Sequence, residues 1–156
     1  MIGRTRKRAR AFLLTLLCSG LRISDVIRLA RRNVDFHTGK RLLPWTQKTG
    51  QGVDVRLGAH CLDAFNVLPH ESADCFFWNG VGKLSTAIGN ARKSFDRICE
   101  RAGIEGGYRH RCRDIFSIRL LDQGADIRDV QKLLGHRSIQ VAEKQYGPWM
   151  RSSQDG

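Results

Sequence analysis

Apolar residues recur at helical spacing along most of the chain, with one interruption where the period drops to two. Residues 5–18 form the first helical stretch. Phe12, Leu13, Leu16 and Leu17 share its apolar side, and Ser19-Gly20 is a stop signal. Ser24 has the side chain to cap a second helix, which Val26, Ile27, Leu29 and Ala30 carry to about Arg32. Residues 41–47 (RLLPWTQ) and 52–57 (GVDVRL) then read as two short strands, joined by a turn at Lys48-Thr49-Gly50-Gln51. In the second strand Val53, Val55 and Leu57 share one face, and Asp54 and Arg56 the other.

The remainder has helical period. Residues 60–67 give a short helix. Residues 84–102 give a longer one with Ile88, Ala91, Phe95 and Ile98 as its stripe, closed by Gly103, with Gly106-Gly107 as a loop. Residues 111–123 follow, with Ile115, Ile118 and Leu121 expected inward and Gly124 as a stop. Asp126 caps a helix holding Ile127, Val130, Leu133 and Leu134, which ends at Gly135. Ser138 starts a last helix that carries Tyr146 and is expected to break at Pro148. The pattern predicts a mainly α fold with a small antiparallel β-sheet, an α+β arrangement without internal repeats or a long linker.

At 156 residues the chain is one domain, or at most two very small ones. That length buries roughly 68–70% of the unfolded surface and supports a core without staples. Five cysteines at wide spacings, with no C-x-x-C pair, read as reduced thiols of a cytoplasmic protein. The basic start MIGRTRKRAR followed by AFLLTLLC has the outline of a secretory leader. Leu17, a large residue, precedes Cys18, and the period runs on into LRISDVIRLARR, so a folded helical region is the expectation. The apolar run is far short of the ~20 residues that cross a bilayer.

Charge changes the picture most. Lys plus Arg is 27 against 15 Asp plus Glu, a formal net charge of +12. Small domains usually carry about 2–8 charges. A chain this basic calls for a polyanion, nucleic acid first and an anionic membrane surface second.

Several polar residues sit at odd places. Arg22 lies in GLRISD, Lys48 at the turn, His110 and Arg113 three apart in HRCR, His136 in LLGHRS, and Tyr146 ten residues later. Singly, each has a structural explanation: a solvated or Asp25-paired arginine, an exposed turn lysine, a helix-capping histidine. Together they offer two guanidiniums, an ammonium and two imidazoles as donors to a phosphate, and a phenol as nucleophile. Phosphoryl transfer asks a protein mainly to position groups and neutralise oxygens. No carboxylate cluster has metal-ligand spacing, so the pattern gives no support to a two-metal nuclease.

CSGLRISDVIRL, the QKTG turn, HRCRDIFSIRLLDQGADIRDVQKLLGH and SIQVAEKQYGPW occur in one order and cover residues 4–149. In these motifs the chain resembles the catalytic domain of the tyrosine recombinase, or phage integrase, family. The stretch 110–149 is the specific part. The resemblance implies site-specific DNA cleavage and rejoining through a 3′-phosphotyrosine. Arg22 and Arg113 would hold the scissile phosphate. Lys48 would protonate the leaving 5′ oxygen, His110 would assist proton transfer, and His136 would donate to the phosphate. Tyr146 would be the nucleophile, Asp25 would buttress the first arginine, and Asp114 matches an acidic position found in part of the family. Double-stranded DNA is the implied partner, with a homotetramer on it, no membrane and no cofactor or metal.

The same chemistry serves a type IB topoisomerase-like enzyme, and the same basic surface serves a non-catalytic DNA-binding remnant of a mobile element. Family members carry a core-binding domain before the catalytic one. The sequence reads as a single catalytic domain over 1–156 without that partner, with 147–156 as a short tail. Arg4, Arg6, Lys7, Arg8 and Arg10 form a basic run expected either to touch the DNA backbone or to be a solvated helical turn. Cys112 stands where the family commonly has a larger apolar residue, and the spacing from His136 to Tyr146 is one longer than in many members.

Overall fold

The computed structural model describes residues 2–38, 40–43, 53–69, 74–105, 110–134 and 138–154. The turn carrying Lys48, the Gly106-Gly107 loop and the Gly135-His136 junction lie outside the described residues.

Helix α1 (Ile2–Ser19) turns Ala11, Phe12 and Leu16 into the core, while Leu13 and Leu17 of the predicted stripe are only partly buried against it. It ends where Ser19 Oγ accepts the Leu21 N–H and Gly20 takes φ +60°. A Cβ at position 20 would lie 2.4 Å from Phe116 Cδ1, so glycine is required by backbone and by space alike.

Helix α2 (Ile23–Ile27) is shorter than the period suggests. The chain leaves it to pair with a distant segment. Leu29 O accepts Phe76 N–H at 3.1 Å, Arg31 N–H donates to Asp74 O at 2.7 Å, and Ala30 bridges Cys75. A 3-10 turn (Arg31–Asn33) follows. Nor does Ser24 cap α2. Arg22 is the N-cap in extended geometry, without a side-chain capping bond, and its carbonyl takes the N–H groups of Asp25 and Val26.

Strands β1 (Lys40–Leu43) and β2 (Val53–Arg56) pair antiparallel, with Arg41 opposite Val55 and Leu43 opposite Val53. Val55 and Leu57 point into the core and Arg56 is exposed, the alternation expected of a half-buried strand. Helices α3 (Ala59–Asn66), α4 (Leu84–Arg101), α5 (Arg111–Asp122), α6 (Ile127–Leu134) and α7 (Ile139–Gln154) complete the fold.

Two cores result. The first joins α1 to α4. Phe65 stacks on Phe76 at 4.3 Å between ring centroids, and Phe12 meets Phe77 edge-on at 5.6 Å. Truncating the fully buried Phe65 to alanine would cost about 3–5 kcal/mol. The second gathers Val55, Phe116, Val130, Leu134, Ala142 and Tyr146 from β2, α5, α6 and α7. Helix α5 spans both, with Cys112 in the first and Phe116 in the second.

Two expectations are corrected here. The inward face of α5 is Cys112, Arg113, Phe116 and Ser117, while Ile115, Ile118 and Leu121 are only partly buried. Two polar side chains can face inward because each finds a carbonyl there, as detailed below. Pro148 does not break the last helix, which runs through it to Gln154. Proline forfeits one N–H bond and crowds the preceding turn. Pro148 is exposed, and Ala142 and Tyr146 anchor α7 upstream in the second core.

Candidate active site

Arg113 is the centre of the site. It is 6% exposed and leaves α5 towards two chain ends. Its Nη1 donates to Gly20 O at 2.7 Å and its Nη2 donates to Leu134 O. A planar fork with fixed donors suits this bridge. It ties the C-terminus of α1 to the C-terminus of α6. One turn further along, Ser117 Oγ donates back to Arg113 O at 2.8 Å and is itself fully buried.

Arg22 sits beside this bridge. Burial first, then the positive charge of Arg22, push the Arg113 pKa down to about 10, while Tyr146, Asp25 and Asp114 act in the opposite direction. The guanidinium remains charged at neutral pH. Two arginines within electrostatic reach in a partly dry site repel each other unless an anion lies between or beside them. The Nη1 of Arg22 is buried and has no hydrogen-bond partner among the described residues. A buried guanidinium nitrogen without an acceptor is costly in a folded chain. Asp25, buried on α2, supplies part of the compensating charge.

Tyr146 comes from α7 and is 2% exposed. Its hydroxyl donates to Asp114 Oδ1 at 3.2 Å. The same carboxylate oxygen accepts Gln145 Nε2 at 2.6 Å, so two consecutive residues of α7 are clipped to α5. Burial raises the phenol pKa, and the Asp114 charge and hydrogen bond raise it further. Hydrogen bonding from Ser117 and the charge of Arg113 pull it down. The net direction is up, so Tyr146 rests as a neutral phenol at neutral pH.

His110 is the N-cap of α5 and is exposed. Its carbonyl accepts the N–H groups of Arg113 at 2.9 Å and Asp114 at 3.0 Å. Five of the eight expected site residues, Arg22, Asp25, Arg113, Asp114 and Tyr146, thus meet from α2, α5 and α7, with His110 at the head of α5. Lys48 and His136 lie outside the described residues.

In the N-terminal basic run Arg6, Lys7 and Arg10 are exposed. Arg8 is committed within the chain, donating through Nη2 to Phe77 O, so it does not belong to a purely solvated turn.

Three contributors lie beyond the sequence reading. Gln145 orients Asp114, Ser117 faces Tyr146, and Gly20 offers the carbonyl that fixes Arg113. Ser117 had a signal, four residues after Arg113 and so on the same helical face. Among the described residues no helix is long and apolar enough to cross a membrane. All five cysteines are free.

The sequence profile of the phage integrase family matches residues 3–148. The tyrosine recombinase XerC of Staphylococcus aureus (strain JH9) is 30% identical over 148 residues, covering 88% of this chain and 48% of the relative. The chain therefore spans about half the length of the curated relatives it matches. The crystal structure of XerA recombinase superposes with a TM-score of 0.74 at 21% identity, over 90% of this chain and 53% of that one. XerH site-specific recombinase bound to palindromic difH substrate superposes with a TM-score of 0.76 at 20% identity, over 99% and 46%. The mostly helical fold is that of these recombinase structures, and with the family profile running nearly end to end, the chain belongs to the phage integrase family.

Proposed function

We propose that this chain carries the catalytic site of a DNA breaking and rejoining enzyme that acts through a 3′-phosphotyrosine. The observation that carries the reading is the buried Nη1 of Arg22, without a hydrogen-bond partner among the described residues, beside the Arg113 guanidinium, with the Tyr146 phenol in the same neighbourhood. A phosphodiester supplies the acceptor oxygens that Arg22 lacks and the negative charge that relieves the repulsion between the arginines.

The reaction then follows from the groups. Arg22 and Arg113 grip the non-bridging oxygens and stabilise the charge that grows in the transition state. Tyr146 attacks phosphorus and forms the 3′-phosphotyrosine ester. Lys48 protonates the leaving 5′ oxygen, His110 assists proton transfer and His136 donates to the phosphate, roles taken from the family resemblance. The ester conserves the energy of the broken phosphodiester, so rejoining needs no nucleotide triphosphate. Tyr146 is buried between α7, which carries it, and the second core, so the phosphate reaches it only when α7 gives way.

The proposed partner is double-stranded DNA, with a homotetramer assembled on two sites. The net charge of +12 supports the polyanion. Exposed Arg6, Lys7 and Arg10 are suited to backbone contacts.

The test is a nicked suicide duplex at low salt. The wild type forms an adduct that survives a denaturing gel, and Tyr146→Phe forms none. A Tyr146→Phe adduct would assign the nucleophile elsewhere. No adduct from folded wild-type protein that still binds DNA would leave a non-catalytic binding module.

A further inference from the structure

Among the described residues, the phenol of Tyr146 donates its hydrogen bond to a carboxylate. Its hydroxyl donates to Asp114 Oδ1 at 3.2 Å. The carboxylate is held in place by a second bond on the same oxygen, from Gln145 Nε2 at 2.6 Å. Gln145 and Tyr146 are neighbours on α7, and Asp114 directly follows Arg113 on α5. Asp114 is therefore next in sequence to an arginine that would grip the phosphate, and Gln145 is next to the phenol that would attack it.

Building on the recombinase reading, we propose that Asp114 is the catalytic base for Tyr146, with Gln145 as the positioning residue that aims its carboxylate. The step balances within the site. As the phenol oxygen bonds to phosphorus, its O–H bond breaks and the proton passes to Asp114. The bond from phosphorus to the 5′ oxygen breaks on the opposite side, and that oxygen takes a proton from the acid. In rejoining, the proton on Asp114 returns to the departing phenolate.

Physical need and geometry agree. A buried neutral phenol is a weak nucleophile and must lose its proton during attack. Among the described residues, the side chain that accepts that proton's hydrogen bond is Asp114. Gln145 is exposed, and its bond holds the Asp114 carboxylate turned to α7.

The experiment is single-turnover adduct formation on the nicked suicide duplex with the full chain. Asp114→Asn keeps shape and removes the base, and is expected to slow adduct formation by about 10²–10⁴-fold. Asp114→Glu restores a carboxylate and recovers a large part of that loss. The decisive arm places trifluorotyrosine at position 146, whose phenol is far more acidic than tyrosine's, with adduct formation followed above neutral pH where it is ionised. With it, Asp114→Asn and the unsubstituted Asp114 protein react within about tenfold of each other, because the base is no longer needed.

The proposal is overturned if Asp114→Asn reacts as fast as the wild type, or if the fluorinated phenol leaves the Asp114→Asn defect undiminished, which a purely structural role would give. A wild type that forms no adduct refutes the recombinase reading itself, and this inference with it. A reactive wild type with an indifferent Asp114→Asn refutes the inference alone.

Discussion

Replacing Gly20 with alanine tests the joint on which the two arginines are hung. Gly20 has φ +60°, and an alanine Cβ there would stand 2.4 Å from Phe116 Cδ1, 3.0 Å from Phe116 Cε1 and 3.1 Å from Leu134 Cδ2. A non-glycine residue forced into the left-handed region costs about 1–3 kcal/mol. Overpacking the core costs about 1–3 kcal/mol more. The sum, roughly 2–6 kcal/mol, is a large part of the ~5–15 kcal/mol that holds a domain together. Urea denaturation reads it directly, and in a melt each kcal/mol lowers the midpoint by about 2–4 °C. Pairing the change with Phe116→Leu removes the clashing ring atoms but leaves the backbone strain. The double variant is therefore expected to show favourable coupling of about 0.5–3 kcal/mol. Gly20 O also accepts Arg113 Nη1, so adduct formation falls even well below the melting point. A Gly20→Ala protein within about 0.5 kcal/mol of the wild type would refute the argument, since that is the scatter of neutral surface changes.

Three further outcomes follow from the same geometry. Arg22→Met removes a buried Nη1 that has no partner among the described residues and a charge that opposes Arg113, so urea stability stays level or rises, while adduct formation falls ~10²–10³-fold. A stability loss above about 1 kcal/mol would mean that Arg22 is a structural residue. Arg113→Lys keeps a charge but loses the fork that serves Gly20 O and Leu134 O together, at a cost of about 1–3 kcal/mol in denaturant. The Tyr146 phenol has its pKa raised in the folded chain, so its contribution to stability is complete below pH 10, its unfolded value, and is lost as pH climbs through the folded value. Stability above pH 10 should therefore fall more steeply for the wild type than for Tyr146→Phe; parallel curves would contradict the burial of that phenol.

The long amphipathic elements were legible in the sequence because their apolar period is decided locally. Helices α1, α4 and α6 fall within a few residues of where Phe12 and Leu16, Phe95, and Val130 and Leu134 put them. The α5 face was misread for a reason tied to function. Apolar spacing favours Ile115 and Ile118, yet Arg113 and Ser117 turn inward because carbonyls brought from α1, α6 and α5 itself receive them. No local pattern shows where those carbonyls will be. Helix α2 ends early for a similar reason, since the pairing of Leu29, Ala30 and Arg31 with residues 74–76 is long-range.

The candidate site was legible as motifs rather than as contacts. Motif order named Arg22, Arg113 and Tyr146, and the fold brings their charges within reach of one another. The bond from Tyr146 to Asp114 and the clip from Gln145 depend on how α7 lies on α5, which spacing along the chain does not encode.

The central claim is that the phenol of Tyr146 takes up the phosphate that Arg22 and Arg113 hold. Mass spectrometry of the nuclease-trimmed adduct tests it most directly. The account predicts one modified peptide, with a 3′-linked nucleotide on Tyr146, obtained from the wild type and from no Arg22→Met or Arg113→Lys protein at comparable yield. A nucleotide on Tyr108, a serine or a cysteine, or an adduct on Tyr146 that forms equally well without Arg22, would contradict it.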